Sequence, residues 1–329
     1  MIILISFLVI LNLFFLYLFE NLSKQIALFD KPDGIRKLHK KKIACIGGFI
    51  IFINLLGIIL YLNFLNYSGL NFFLNINEFN LFFFYSFIFF TIGYLDDKYN
   101  LNPNIKLILF IIVIYFFLFT FPNWIIKSLN FSFYKNSINI LEISYVFTIL
   151  AFLLFINSFN MFDGINLQSV SYSIFILIIF YIKSNLDLFY LFLIFPLLIF
   201  FYLNYKNKCF LGDNGTLLLS FVFSFLFVDF HNNKKLLFAD EIFLIMLIPG
   251  LDMLRLFISR VMKGLNPFYP DRNHIHHLLI KKFGNNISLI ILFSLILLPN
   301  VFYQLYNIKV LIIILSIFFY FYLIKFLAK

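Results

Sequence analysis

Charge is scarce in this chain. Asp, Glu, Lys and Arg together make up 12% of its 329 residues, too few to cover a soluble domain of that size. Cysteine is scarcer still. Cys45 and Cys209 stand alone with neither disulfide nor zinc spacing, which excludes a disulfide-stapled scaffold and a zinc module. Both are read as reduced and structural. With 12 Gly and 8 Pro, no flexible or Pro-rich linker divides the chain. The 15 acidic residues face 25 basic ones, a formal net charge of +10. No soluble basic domain carries that excess, so nucleic acid is not an expected partner. The charge is read as membrane topology plus attraction for anionic lipid and anionic substrate.

Phe is abundant instead, with 53 copies, and the mean hydropathy is +0.99. Apolar residues recur in blocks of about 17–23, the length that crosses a bilayer core. Eleven blocks fall at roughly 1–19, 43–65, 79–95, 105–121, 143–159, 169–183, 188–204, 215–229, 241–257, 287–303 and 308–325. The first has no basic n-region and no small-residue cleavage site, so it is read as a span rather than a signal peptide. The expected fold is therefore an all-α integral membrane protein of about eleven transmembrane helices, one polytopic domain over 1–329. With the N-terminus outside and the C-terminus cytoplasmic, only Lys127, Lys135, Lys183, Lys234, Lys235 and Lys309 lie on outer segments. The other nineteen of the 25 basic residues lie inside, as the positive-inside rule requires. The outer loop at about 122–142 is expected to form a small hairpin with Lys135-Asn136 as its turn.

The titratable residues gather on the inner side: Asp30, Asp33, Asp96, Asp97, Asp163, Asp213, Asp252 and Asp271, with His39, His274, His276 and His277. Carboxylates against apolar sequence are costly and point to function. Asp96 and Asp97 close the third block. Adjacent carboxylates repel, so the pair suits a base beside a cation; the plain alternative is a helix end entering water beside Lys98. Asn157 and Asn160 share a helical face ahead of Asp163-Gly164, and Asn and Asp oxygens are hard ligands for magnesium. A polar C-terminal cap is the simpler account of the same residues. Asp213, flanked by Gly212 and Gly215, either reaches a metal or caps the eighth helix, whose N-terminal N–H groups suit an anion. Arg272-Asn273-His274-Ile275-His276-His277 puts three imidazoles beside a guanidinium, a set that fits a diphosphate; a zinc site is the rival reading. Lys37-Leu38-His39 and the run Lys40–Lys42 serve as an inner-side anchor or a binding strip. Lys106 is a snorkelling anchor or a phosphate partner, and Gly47-Gly48 permits close helix approach.

Taken in order, these motifs resemble the polyprenyl-phosphate N-acetylhexosamine-1-phosphate transferases, the bacterial undecaprenyl-phosphate N-acetylglucosaminyl-1-phosphate transferase branch in particular. The resemblance runs through Asp30, Arg36-Lys37, His39, Gly47-Gly48, Gly93, Asp96-Asp97, Asn157, Asn160, Asp163-Gly164, Leu211-Gly212-Asp213, Pro249, Asp252, Arg260, Gly264, Pro267-Phe268 and Asp271 to His277. It implies transfer of an N-acetylhexosamine 1-phosphate from a UDP-sugar to undecaprenyl phosphate, at the cytoplasmic face of the inner membrane. It implies Mg²⁺, or Mn²⁺ in its place, on Asn160 and Asp213, and catalytic roles for Asp96, Asp97 and Asp163. Lys106, Asn157, Arg272, His274, His276 and His277 are implied to bind substrate. Two departures stand out. The family's Asp-Gly-Ile-Asp-Gly-Leu reads Asp163-Gly164-Ile165-Asn166-Leu167-Gln168 here, and its Pro ahead of the Gly pair is Ala44. The sugar and the glycan pathway are not legible, and a homodimer is allowed but indicated by no residue. A secondary transporter is the alternative; it would place charges at mid-membrane and show repeats, neither of which the sequence has. A non-catalytic scaffold would bind lipid phosphate without releasing UMP.

Overall fold

The computed structural model describes residues 2–30, 42–65, 76–267 and 271–327. Its helices are α1 (Ile2–Ile26), α2 (Gly47–Leu65), α3 (Ile76–Tyr99), α4 (Pro103–Thr120), α5 (Ser144–Phe162), α6 (Gln168–Lys183), α7 (Leu188–Tyr205), α8 (Gly212–Asn232), α9 (Ala239–Ile245), α10 (Leu247–Met262), α11 (Ile275–Leu305) and α12 (Lys309–Leu327). Among the described residues each of the eleven apolar blocks falls mainly on helix. Among the described residues nine helices are long and apolar enough to cross a membrane. Large apolar side chains such as Tyr17, Phe64, Phe119 and Phe318 are exposed, as hydrocarbon-facing residues are. The chain is a multi-pass, all-helical membrane protein.

Two segments differ from expectation. The block at 241–257 is not one straight span: α9 and α10 meet at a 74° bend. Pro249 explains the break. It has no N–H to donate to the Ile245 carbonyl four residues back, and its ring crowds that carbonyl. The inner loop expected at 258–286 is helical from Ile275 onward. Gly284 interrupts α11 with φ 75° and ψ 173°, a conformation open essentially to glycine alone. The histidine motif thus begins a short helical segment of its own. α6, at 16 residues, is short for a membrane span.

The chain forms two compact units, each assembled from two separated stretches. The first comprises Met1–Leu109 and Ser169–Phe223. In it α2 packs against α1, α3 and α7. Hydrocarbon solvates Leu and Phe as well as a protein does, so helix pairing there relies on van der Waals fit and polar contacts. Phe52 stacks on Phe90 at 4.5 Å and Phe89 on Phe221 at 4.6 Å. Asn12 of α1 and Asn54 of α2 exchange amide hydrogen bonds of 2.7 and 3.1 Å, both side chains buried. Strand β1 (Phe29–Asp30) pairs antiparallel with β2 (Ile43–Ala44). On the other side of the segment, Phe210 donates to the Ala44 carbonyl at 2.8 Å, and Gly47 and Gly48 donate to Phe210 and Leu211 at 3.1 Å. This brings the start of α2 against the start of α8. Gly48 makes the approach possible, since a Cβ there would lie 2.1 Å from Asn214 Oδ1 and 2.4 Å from the Gly215 nitrogen.

The second unit comprises Phe110–Gln168 and Ser224–Lys329. Here α5 lies on α10, and α11 on α9, α10 and α12. The expected hairpin forms: β3 (Ser128–Leu129) pairs antiparallel with β4 (Ile138–Asn139), and the chain bends at Lys135-Asn136. A cavity of about 520 Å³ in this unit is walled by rings including Phe131, Phe133, Phe147, Phe155 and Phe243. None of the expected site residues lines it.

The glycine contact yields a paired prediction. Gly48→Ala forces a methyl into the backbone of α8 and should lower the thermal midpoint in detergent, with overpacking costing about 1–3 kcal/mol. Gly250→Ala, whose Cβ would meet nothing within 4 Å, should leave the midpoint unchanged or slightly raised. Equal responses of the two variants would refute the close approach.

Candidate active site

The first unit gathers four of the expected residues. Asn100 takes a left-handed conformation (φ 51°) and closes α3, its N–H donating to the Asp96 carbonyl at 2.8 Å. The turn folds Leu101 back so that its N–H donates to Asp96 Oδ1 at 2.9 Å. Lys106, one turn into α4, donates to Asp96 Oδ2 at 2.5 Å and stands 4.0 Å from Asp213 Oδ2. One ammonium therefore serves two carboxylates. Lys106 and Asp96 are largely covered, with side chains 18% and 7% exposed, whereas that of Asp213 is 31% exposed.

Asp97 is turned to a different task. Its Oδ1 accepts from the Asp213 N–H and its Oδ2 from the Asn214 N–H, both at 2.9 Å, and the Asn214 amide also donates to it. These are first-turn N–H groups of α8, which no helical carbonyl reaches. The N–H groups that the sequence offered to an anion are thus answered by a carboxylate of the protein itself. Gly93 admits the contact, because a Cβ there would lie 2.2 Å from the Asp213 carbonyl oxygen. The Asn214 amide is held from a second side by the Cys45 carbonyl at 2.9 Å. Burial, then the nearby Asp97 charge, pushes the Cys45 thiol well above its ordinary value, and burial pushes Cys209 up to about 12. Both thiols are inert and structural, as read from their spacing.

The second unit gathers the others. Asn157 donates to the Leu153 carbonyl of its own helix at 2.7 Å. Asn160 and Asp163 are half-buried at the C-terminal end of α5, and Asp163 leaves helical geometry at φ −77° and ψ 63°. Gly164 serves close packing rather than an unusual φ. A Cβ there would lie 2.0 Å from His276 Nε2, so the imidazole rests on the bare backbone. His276 is buried, stacks on His274 with centroids 5.3 Å apart, and leaves Nδ1 without a hydrogen-bond partner. His277 is half-buried against it, and Arg272 is exposed. In the departing stretch, Leu167 keeps a left-handed backbone (φ 68°) where the family has glycine. Gln168 is fully buried with neither amide atom hydrogen-bonded.

Sequence reading quoted Asp252 without giving it a role and overlooked its partners. Asp252 accepts from His274 Nδ1 at 2.8 Å, the Ile275 N–H at 3.1 Å, Arg255 Nη2 at 2.8 Å and the Tyr320 hydroxyl at 2.9 Å. The three-residue spacing of Asp252 and Arg255 was a visible signal. Tyr320, on the last helix, left none. Arg260 completes the loop's anchorage, donating to Asp271 at 3.1 Å and to the Pro267 carbonyl at 2.7 Å. Burial opposes ionisation of Asp271, but the Arg260 bond and the Asn273 N–H outweigh it and hold the carboxyl below the usual carboxylate range. Asp33, Arg36, Lys37, His39, the basic residues Lys40 and Lys41, and Phe268 lie outside the described residues. Among the described residues, no three His, Cys, Asp or Glu side chains converge as a metal-holding group.

The family model for glycosyl transferase family 4 matches residues 79–231, the stretch that carries Asp96, Asp97, Lys106, Asn157, Asn160, Asp163 and Asp213. The fold is helical and membrane-spanning, its polar residues are gathered at helix ends, and over that stretch, just under half of its length, the chain is similar to this transferase family. Similar proteins include the undecaprenyl-phosphate alpha-N-acetylglucosaminyl 1-phosphate transferase of Escherichia coli (strain K12), 27% identical over 284 residues, which are 81% of this chain and 73% of that protein. The protein of the same name from Thermotoga maritima is 28% identical over 292 residues, 88% of this chain and 86% of its own length. That from Yersinia pestis is 26% identical over 279 residues.

Removing the Asp97 carboxylate should expose its structural task. Asp97→Ala leaves two backbone N–H groups unanswered and should reduce stability by about 2 kcal/mol or more, with Asp97→Asn in between. Thermal unfolding in detergent reads this directly. An Asp97→Ala protein as stable as wild type would show that α8 does not depend on the cap.

Proposed function

We propose that this chain transfers an N-acetylhexosamine 1-phosphate from a UDP-sugar to undecaprenyl phosphate, releasing UMP and starting assembly of a cell-surface glycan. An oxygen of the lipid phosphate attacks the β-phosphorus of the donor. The bond from that phosphorus to the bridging oxygen breaks, and UMP departs with the electron pair. The acceptor enters from the bilayer and the nucleotide sugar from the cytoplasm, so the lipid-linked product stays in the inner membrane.

The observation that carries the reading is the Asp96–Lys106–Asp213 cluster, a titratable site set at helix ends in a chain otherwise stripped of charge. Such residues in a membrane protein mark the place of function. The names of the relatives, matched over four-fifths of the chain, supply the reaction class. In this reading Lys106 meets phosphate charge as its carboxylate partners rearrange. Asp96 takes the acceptor's proton once substrate phosphate draws Lys106 away from it. Asp97 acts through α8, fixing Asp213. The imidazoles of His274, His276 and His277, with Arg272 and Asn157, grip the donor, and Asp163 serves at the nucleotide-sugar site.

The first unit's residues fit a hard divalent cation. Its donors are carboxylate oxygens, one ammonium faces Asp96 and Asp213, and Asp213 keeps the more exposed oxygens. Asp213 would hold Mg²⁺, or Mn²⁺ in its place; a second ligand in Asn160 remains an implication of the resemblance. When bound, the cation offsets the negative charge that builds on the diphosphate.

Asp213→Ala and Asp96→Ala should each abolish UMP release from UDP-sugar plus undecaprenyl phosphate, while the protein still inserts in membranes. Chelation by EDTA should stop turnover, and added Mg²⁺ should restore it. A panel of labelled UDP-sugars identifies the donor. Wild-type turnover in either variant, or substrate uptake into vesicles with no lipid acceptor, would contradict the proposal.

A further inference from the structure

Tyr320 is buried in the second unit with its hydroxyl committed in both directions. The hydroxyl accepts from Arg255 Nε at 3.0 Å. A guanidinium only donates, so the hydroxyl's single proton goes to Asp252 Oδ1, 2.9 Å away. Arg255 also ties the histidine loop directly, Nη2 donating to the Asn273 carbonyl at 2.6 Å. Asp252, an acceptor on every side when ionised, receives His274 Nδ1 at 2.8 Å. His274 Nδ1 therefore carries a hydrogen, and its Nε2 is the ring nitrogen left to face outward chemistry. The parallel rings of His274 and His276 and the seat of His276 on Gly164 extend the chain of contacts to the Asp163 turn.

We propose that Tyr320 is a positioning residue for donor binding: through Asp252 and Arg255 it fixes the tautomer and plane of His274, and with it the stacked histidines. This rests on the reading above that the histidine loop grips the UDP-sugar. The role is analogous to an outer hydrogen-bond partner that orients a functional histidine without touching substrate.

The test is a double-mutant cycle on Tyr320→Phe and His274→Ala, with KM measured separately for UDP-N-acetylglucosamine and for undecaprenyl phosphate. Tyr320→Phe removes one oxygen and keeps the ring. It should raise the KM for the nucleotide sugar about tenfold, leave that for the lipid phosphate within about twofold, and add no further loss in the His274→Ala background. A purely structural hydroxyl would instead lower the thermal midpoint, disturb both KM values and add its loss to that of His274→Ala. That pattern overturns the proposal, as would a Tyr320→Phe protein that fails to fold. If His274→Ala itself leaves the donor KM unchanged, the reading of the histidine loop fails. If His274→Ala raises it and Tyr320→Phe does not, the positioning role alone is wrong.

Discussion

A helix that begins inside an apolar protein starts with backbone N–H groups that no carbonyl of its own can reach and that little water is near to satisfy. α8 begins this way, and Asp97 answers it by spreading both carboxylate oxygens over the Asp213 and Asn214 N–H groups. The arrangement couples the end of α3 to the start of α8 more tightly than apolar contact would. It also requires bare backbone at Gly48 and Gly93, where a methyl group has no room. With α8 seated, Asp213 stands 4.0 Å from the Lys106 ammonium that Asp96 also shares. The glycines and the cap determine where the Asp213 carboxylate stands.

Adjacent Asp96 and Asp97 look like a repelling pair in the sequence. In the structure their environments separate them. Asp96 is neutralised by an ammonium and the Leu101 N–H, and Asp97 by the positive end of a helix. Two neighbouring carboxylates thus coexist in apolar surroundings because each has its own source of positive charge. Asp213 has a more exposed side chain than Asp96 or Lys106, and lies 4.0 Å from the Lys106 ammonium. The second unit uses the same logic on one group: the buried carboxylate of Asp252 is the acceptor on which Arg255, Tyr320 and His274 converge.

Much of this was legible in the sequence. Hydrophobic block length located all the membrane-length helices, and the hairpin at 122–142 followed from its turn residues. The candidate site residues stood out as polar side chains where apolar ones belong. Other features were hidden for physical reasons. The α9–α10 bend depends on one proline inside a block that is apolar enough to read as a single span. Gly164 reads as a helix breaker, but its need is spatial, set by His276 more than a hundred residues away. The capping task of Asp97 was hidden, because its partners are backbone N–H groups that carry no residue identity. Tyr320 was one more aromatic among many, distinguished only by what its hydroxyl meets.

The central claim concerns which bond is broken, and a donor labelled at its β-phosphorus tests it most directly. Purified protein is incubated with that UDP-N-acetylhexosamine, undecaprenyl phosphate and Mg²⁺, and the lipid phase is separated from the aqueous phase. Transfer of a sugar 1-phosphate carries the label into the lipid, joined to the sugar through a diphosphate, with unlabelled UMP left in water. Label that stays in the aqueous phase as UDP while sugar appears on the lipid would contradict the account, as would no lipid-linked product from any donor.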